Sequence, residues 1–325
     1  MKKVFVSGAS SLVGYGILKS LRQSRQKYFL LGSSIFKNSI ALTFCDKFEI
    51  APKSDSPDYM QWLVSIIKKH KIDIMFPGIE IDMYKWSYNL KQIKKTKAFP
   101  VLNQPKLISI CEDKWKFYKF LKSKKFSGII KTCLENNYKN LTKKYKTPLL
   151  LKPRKGFGSK GVVKIFSKDQ FKIYKNDIGK KLMVQPYIGS EDEEYTVSIF
   201  GDGIGSYFSI IAFKRKLSPE GYTIIAETTD ENQFIETISK LCKLFKPIGP
   251  TNFQFRLDKD KIKLLEINPR ISSTTSIKST LGYNESLMSL DFFLNGKKIS
   301  QPTIKKAKAI RYIEDYIFYE DSYNI

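Results

Sequence analysis

Leu264-Leu265-Glu266-Ile267-Asn268-Pro269-Arg270 reads as an alternating strand that stops at a proline. Residues two apart on a strand share a face, so Glu266 and Asn268 project together. Just upstream, Asn252-Phe253-Gln254-Phe255-Arg256 alternates in the same way, and Lys259-Asp260 joins residues 251–258 to 261–268 as a hairpin. If the two strands pair, Gln254 lies beside Glu266. A carboxylate with amide oxygens is a hard donor set suited to Mg²⁺, which completes its shell with water and phosphate oxygens. Arg270, just beyond, is placed to hold a transferring phosphoryl group. A solitary Glu-x-Asn would be an ordinary solvated face; what lifts it above that is a second motif far away in the chain.

That motif is Pro148-Leu149-Leu150-Leu151-Lys152-Pro153-Arg154-Lys155-Gly156-Phe157-Gly158-Ser159-Lys160-Gly161. An apolar strand delivers Lys152 into a turn where Gly156, Gly158 and Gly161 flank Ser159 and Lys160. Glycine removes the Cβ that would keep backbone N–H groups from closing round phosphate oxygens, and lysine adds point charge. The spacing is not that of a Walker A loop, which needs Gly-Lys-Ser/Thr after four residues.

Around these motifs the chain divides by texture. Strands are expected at residues 3–7, 29–32 and 72–76, with helices running on from the glycine-bearing turn 8–16 and over 58–69. Such alternation argues for a parallel sheet covered by helices in a domain of residues 1–105. The turn from Gly8 to Gly16 is not a dinucleotide fingerprint, because Ser10 and Val13 occupy the positions that need glycine. From 106 on, a helix (114–124), strands (147–152, 182–186, 194–200, 204–214), a helix (230–245), the hairpin and a closing helix (284–294) read as α+β with mostly antiparallel sheet. Residues 106–188 form one expected subdomain and 189–325 the next.

Composition narrows the function. The chain has 57 Lys and Arg against 31 Asp and Glu, a net charge of +26. Only seven of the 57 are Arg, the residue that best reads base edges, and the lysines are scattered from Lys2 to Lys308. Abundant Ile, Asn, Phe and Tyr match AT-rich coding, so neither a specific nucleic acid nor a membrane is expected as partner. His70 is the one histidine and sits where a helix should end, which gives it a structural role and removes Ser-His-Asp chemistry. Cys45, Cys111, Cys133 and Cys242 are too dispersed for a zinc site and suit reduced thiols in a cytoplasmic protein. The Met1-Lys2-Lys3 start with its short apolar run imitates a signal peptide, but Ser7, Gly8, Ser10 and Ser11 soon break it.

The order Asp113-Lys114, Lys152 with its glycine loop, Gln185-Pro186-Tyr187-Ile188, Glu194-Tyr195-Thr196-Val197, Gln254 and Glu266–Arg270 resembles the ATP-grasp superfamily, nearest to carbamoyl-phosphate-synthase-like ligases. The likeness extends over about residues 1–295, since the first domain resembles the family's Rossmann-like pre-ATP-grasp domain. It implies a two-subdomain ATP-grasp fold, ATP with Mg²⁺ or Mn²⁺, and an acyl-phosphate route joining a small-molecule carboxylate to an amine or a thiol. Lys114 and Lys152 would meet the nucleotide phosphates under the flap of Gly156, Gly158, Ser159, Lys160 and Gly161. Residues 183–188, with Gln185, Pro186, Tyr187 and Ile188, would be the hinge that reads adenine. The family's ribose-holding Glu is replaced by Gln185, which leaves that role to Gln185 or Glu191. Glu194 would lie near phosphates or metal, Gln254, Glu266 and Asn268 would hold the cation, and Arg270 would steady the acyl phosphate. Arg215, Ser10 and Glu80 are candidates to line the substrate site, with a helix-start role equally open for Glu80. A homodimer fits this reading. The alternatives are an idle nucleotide-binding module, a basic nucleic-acid binder, or carbamoyl-phosphate synthesis itself, which the resemblance associates with two tandem grasp units rather than one.

Overall fold

Buried apolar strands alternating with amphipathic helices do produce a parallel sheet at the N-terminus. The computed structural model describes residues 1–156, 158 and 160–319; the flap residue Ser159 lies outside the described residues. Strands β1 (Lys3–Val6), β2 (Phe29–Ser34), β3 (Lys47–Ile50), β4 (Ile74–Phe76) and β5 (Phe99–Pro100) lie in the order β3-β2-β1-β4-β5, every neighbour parallel. Helix Leu12–Arg22 packs Ile17, Leu18 and Leu21 on one face, and helix Tyr59–His70 packs Leu63 and Ile67 on the other. His70 closes that helix and meets Glu49 at 2.7 Å, a structural contact.

Strand order reverses at β1, so the turns after β1 and β4 border a crevice at the carboxyl ends of the strands. They interlock because they lack side chains. A Cβ on Gly78 would lie 2.1 Å from the Ser7 carbonyl oxygen, and one on Gly14 2.3 Å from that of Gly8. Gly78→Ala is therefore expected to destabilise the protein by about 1–3 kcal/mol, seen as a lowered urea midpoint.

A second sheet consists of β6 (Leu149–Pro153), β7 (Val163–Ile165) and β8 (Leu182–Pro186), antiparallel in the order β7-β6-β8. Leu149, Leu151 and Val184 face helices Tyr138–Lys144 and Lys168–Tyr174, packing with Leu141 and Phe171. Alternation turns Lys152 and Gln185 to the opposite face.

The third sheet holds β9 (Glu194–Asp202), β10 (Tyr207–Leu217), β11 (Thr223–Thr228), β12 (Ile248–Asp258), β13 (Lys261–Asn268) and β14 (Lys308–Ile310), in the order β13-β12-β9-β10-β11-β14. β10 starts at Tyr207, later than residue 204, because the Asp202 carboxylate accepts the Ile204, Gly205 and Ser206 N–H groups and holds them in a turn. One face is apolar: Val197, Ile199, Phe253, Phe255 and Ile267 lie under helix Asn232–Phe245 and beside Phe117. The opposite face is polar in cross-strand rows, Asn268–Asn252–Ser198, Glu266–Gln254–Thr196 and Arg256–Glu194.

After β13 the chain returns to the first sheet. Helices Thr275–Thr280 and Glu285–Asn295 pack on Leu12–Arg22, with Ile271 and Leu290 joining that core. Beneath the polar rows Lys278 is fully buried; its ammonium donates to Ser198 Oγ at 2.8 Å, Ser272 Oγ at 3.1 Å and the Glu285 carboxylate. Among the described residues no helix is long and apolar enough to cross a membrane.

Candidate active site

Glu266 and Asn268, at the end of the polar rows of the third sheet, face a cleft open to solvent, walled also by Glu80, Tyr84, Cys111, Lys114, Phe117, Gly156 and Ile267. Residues from the first domain, the glycine loop and the β13 strand thus share one space. Asn268 and Glu266 sit two apart on one face, and the Asn268 amide donates to Glu266 Oε1 at 3.3 Å. Gln254 stands opposite Glu266 in register.

Charge ties the lobes together. Burial alone would raise the Glu266 carboxyl; the Lys152 and Lys114 ammonium groups, the Asn268 amide and Arg215 outweigh it and hold it below the ordinary carboxylate range. Burial pulls the Lys152 ammonium below its ordinary value, with Glu266 as the strongest opposing charge and Lys114 adding to the fall. Lys152 and Glu266 are far apart in sequence, yet each is the other's leading charge partner.

The glycine loop is anchored at its base. Asp113 caps helix Lys114–Ser123, accepting the Trp115 and Lys116 N–H groups at 2.8 and 3.2 Å, while its other oxygen takes Arg154 Nη2 at 2.7 Å. The Lys114 ammonium donates to the Gly156 carbonyl at 2.5 Å. Burial alone would raise the Asp113 carboxyl, but Arg154 and the two helix N–H groups lower it overall. Its contribution to stability is present above the ordinary Asp value and lost as pH falls through the depressed one. Asp113→Asn is expected to cost about 1–2 kcal/mol near neutrality, and less in acid, as urea titrations at both pH values would show.

Glu194 is 5% exposed and shared by two arginines: Oε1 accepts from Arg215 Nη2 at 2.7 Å and Oε2 from Arg256 Nη2 at 2.6 Å. Arg256 also donates to the Ile188 carbonyl at 3.3 Å, and its guanidinium lies 5.6 Å from the Tyr187 ring centre. Lys164 sits 4.7 Å from that same centre and pairs with Glu191 at 2.5 Å. Gln185, on the Lys152 face, donates to Thr132 Oγ1 at 2.8 Å, and Pro186 ends the strand.

Arg270 donates to Glu80, at the start of helix Glu80–Tyr88, and to the Ile271 carbonyl at 2.9 Å. Glu80 therefore combines the helix-start position with a seat in the cleft. Ser10 bonds Ser39 at 2.8 Å and is not part of the cleft wall; neither are Lys152, Gln254, Arg270, Glu194, Arg215 and the hinge residues, Arg215 and the hinge being linked to each other through Glu194 and Arg256. Gly158, Lys160 and Gly161 continue the loop as exposed residues.

Sequence reasoning passed over Arg256, Asn252, Thr196 and Ser198. Strand periodicity was the available signal, since Asn252, Gln254 and Arg256 fall on one face, as do Glu194, Thr196 and Ser198. Among the described residues no three His, Cys, Asp or Glu side chains gather into a metal cage. Glu266 with amide oxygens fits a cation that draws its remaining ligands from phosphate and water.

Residues 179–316 match the family model described as ATP-grasp in the biosynthetic pathway with Ter operon. The curated proteins contain no sequence match. Among solved structures, a biotin carboxylase–βγ-ATP complex from Campylobacter jejuni superposes with a TM-score of 0.73 at 15% identity, covering 93% of this chain and 73% of that one. N5-carboxyaminoimidazole synthetase from Staphylococcus aureus gives 0.73 at 13% identity, over 93% and 80%. The ribonucleotide synthetase of the same kind from Thermotoga maritima gives 0.64 at 17%, over 92% and 77%. These likenesses do not single out the carbamoyl-phosphate-synthase branch. Residues 179–316 are thus similar to an ATP-grasp family, and the chain as a whole has the fold of these ATP-grasp-type structures.

Proposed function

We propose that the protein is a cytoplasmic ATP-dependent ligase that activates a small-molecule carboxylate as an acyl phosphate and passes it to an amine. The observation that carries this is a cleft in which Lys114 and Gly156 meet Glu266 and Asn268 of another lobe, with Lys152 near enough to be the leading charge on Glu266. Solved structures of like fold support it, a biotin carboxylase with βγ-ATP and an N5-carboxyaminoimidazole synthetase with ADP.

In this reading Lys114 and Lys152 hold the phosphates, and the loop with Gly156, Gly158, Lys160 and Gly161 folds over them and excludes water that would hydrolyse an acyl phosphate. Tyr187 and the backbone of Pro186 and Ile188 border the adenine, and Glu191 faces the ribose. Glu266, Asn268 and Gln254 would hold Mg²⁺, which when bound neutralises charge on the phosphoryl oxygens. Arg270 grips the carboxylate during attack on the terminal phosphorus and keeps it aligned after ADP departs. Glu194 braces Arg215 and Arg256 instead of ligating metal, since both its oxygens are engaged. The residues supply position and charge, which can be worth about 7–11 kcal/mol. No histidine base is required.

The test is ADP release with Mg²⁺ over a panel of small carboxylates, each with and without an amine. Release that requires a carboxylate supports the ligase; ATP binding without turnover on any pair supports an idle nucleotide-binding module.

A further inference from the structure

The net charge of the chain is not spread evenly. Residues 106–188 carry 22 Lys and Arg against 5 Asp and Glu, so this lobe holds 17 of the 26 net positive charges. The other 242 residues carry 35 Lys and Arg against 26 Asp and Glu, so AT-rich coding alone does not account for the gathering of lysine in one lobe. The lysines of the glycine loop serve the cleft, but the back of the lobe faces away from it. There helices Tyr138–Lys144 and Lys168–Tyr174 lie side by side on the second sheet, their rings of Tyr138 and Phe171 in contact at 5.4 Å. Outward they expose Lys139, Lys143, Lys144, Lys168 and Lys172, the last paired at 2.8 Å with the one exposed acid of these helices, Asp169, and Lys175 lies just beyond. Among the lysines two apolar side chains stand in water: Ile173 is 75% exposed and Phe166 60%.

We infer that this two-helix face docks on the surface of an anionic lipid bilayer. Lysine ammonium groups reach headgroup phosphates and carboxylates through long flexible stems, while Ile173 and Phe166 enter the boundary of the acyl layer. The protruding apolar pair decides between polyanions: a nucleic-acid backbone offers it nothing, and the near absence of Arg on the lobe removes base readout. Lysines occur along the whole sequence, which hid this face; the lobe's charge comes mainly from its excess of lysine.

Flotation of the full-length protein with phosphatidylcholine vesicles, with and without phosphatidylserine, at physiological salt tests the assignment. Binding is expected only with phosphatidylserine. The triple variant Lys139→Glu, Lys143→Glu, Lys144→Glu should bind about a hundredfold more weakly or worse, and Ile173→Ser about tenfold more weakly. Both variants should keep the wild-type melting temperature and its rise with ADP, which shows them folded. Equal binding to uncharged vesicles, no binding to either, unchanged affinity of the triple variant, or tighter binding to RNA than to the charged vesicles overturns the proposal. None of these outcomes depends on ligase activity.

Discussion

Glu266→Gln should lower Mg²⁺-dependent ADP release by about a thousandfold or more while the protein stays folded. The substitution keeps the shape and one oxygen but removes the only carboxylate that the β13 strand turns into the cleft beside Asn268. Holding Glu266 below the ordinary carboxylate range keeps it ionised at neutral pH, so wild-type activity on its acid side should fall only below the usual Glu value. Removing it leaves Lys152 near the like charge of Lys114 with only the weaker opposing charge of Glu194. Lys152, already lowered by burial, then gives up its proton more readily, which relieves the repulsion and spares the fold. Two consequences separate a lost metal site from general damage. Mg²⁺ should cease to raise the melting temperature in the presence of ADP, and ADP alone should still raise it. Unchanged turnover would remove Glu266 from the cation site.

How much of this was readable in the sequence depends on whether a feature is local. The Glu266-x-Asn268 face and the hairpin that sets Gln254 beside it are short-range patterns with a fixed period, and both appear as expected. The parallel first sheet was legible because its strands are buried on both faces. Strands Lys47–Ile50, Thr223–Thr228 and Lys308–Ile310 were not, since edge or half-exposed strands mix polar and apolar residues without a clean period. The bonds Arg270–Glu80 and Arg154–Asp113 join residues from different elements and follow from topology alone. The same holds for Lys278, which sequence would leave on a helix surface and which the return of the chain to the first sheet buries against Glu285.

The largest effect on stability is expected at Glu194. Its side chain is 6% exposed, against 6% for Arg215 and 14% for Arg256. Both arginines leave Nε without a partner among the described residues, and Glu194 is the one carboxylate paired with both. Glu194→Ala would strand two guanidinium groups in a space too tight for free hydration and should cost about 3–5 kcal/mol, a fall in melting temperature of roughly 6–15 °C. Glu194→Gln should be nearly as harmful, because an amide offers one acceptor to two donors and turns its own N–H groups toward one of them. Replacing all three residues by Met removes the unpaired charge with the pair and should recover most of the lost stability. It should not recover nucleotide binding, since Arg256 also holds the Ile188 carbonyl and faces Tyr187. Stability and ADP affinity would then part company: the triple variant melts near the wild type yet gains little from ADP. A melting temperature of Glu194→Ala within about 1 °C of wild type would show that water reaches the two arginines and that the brace is not needed.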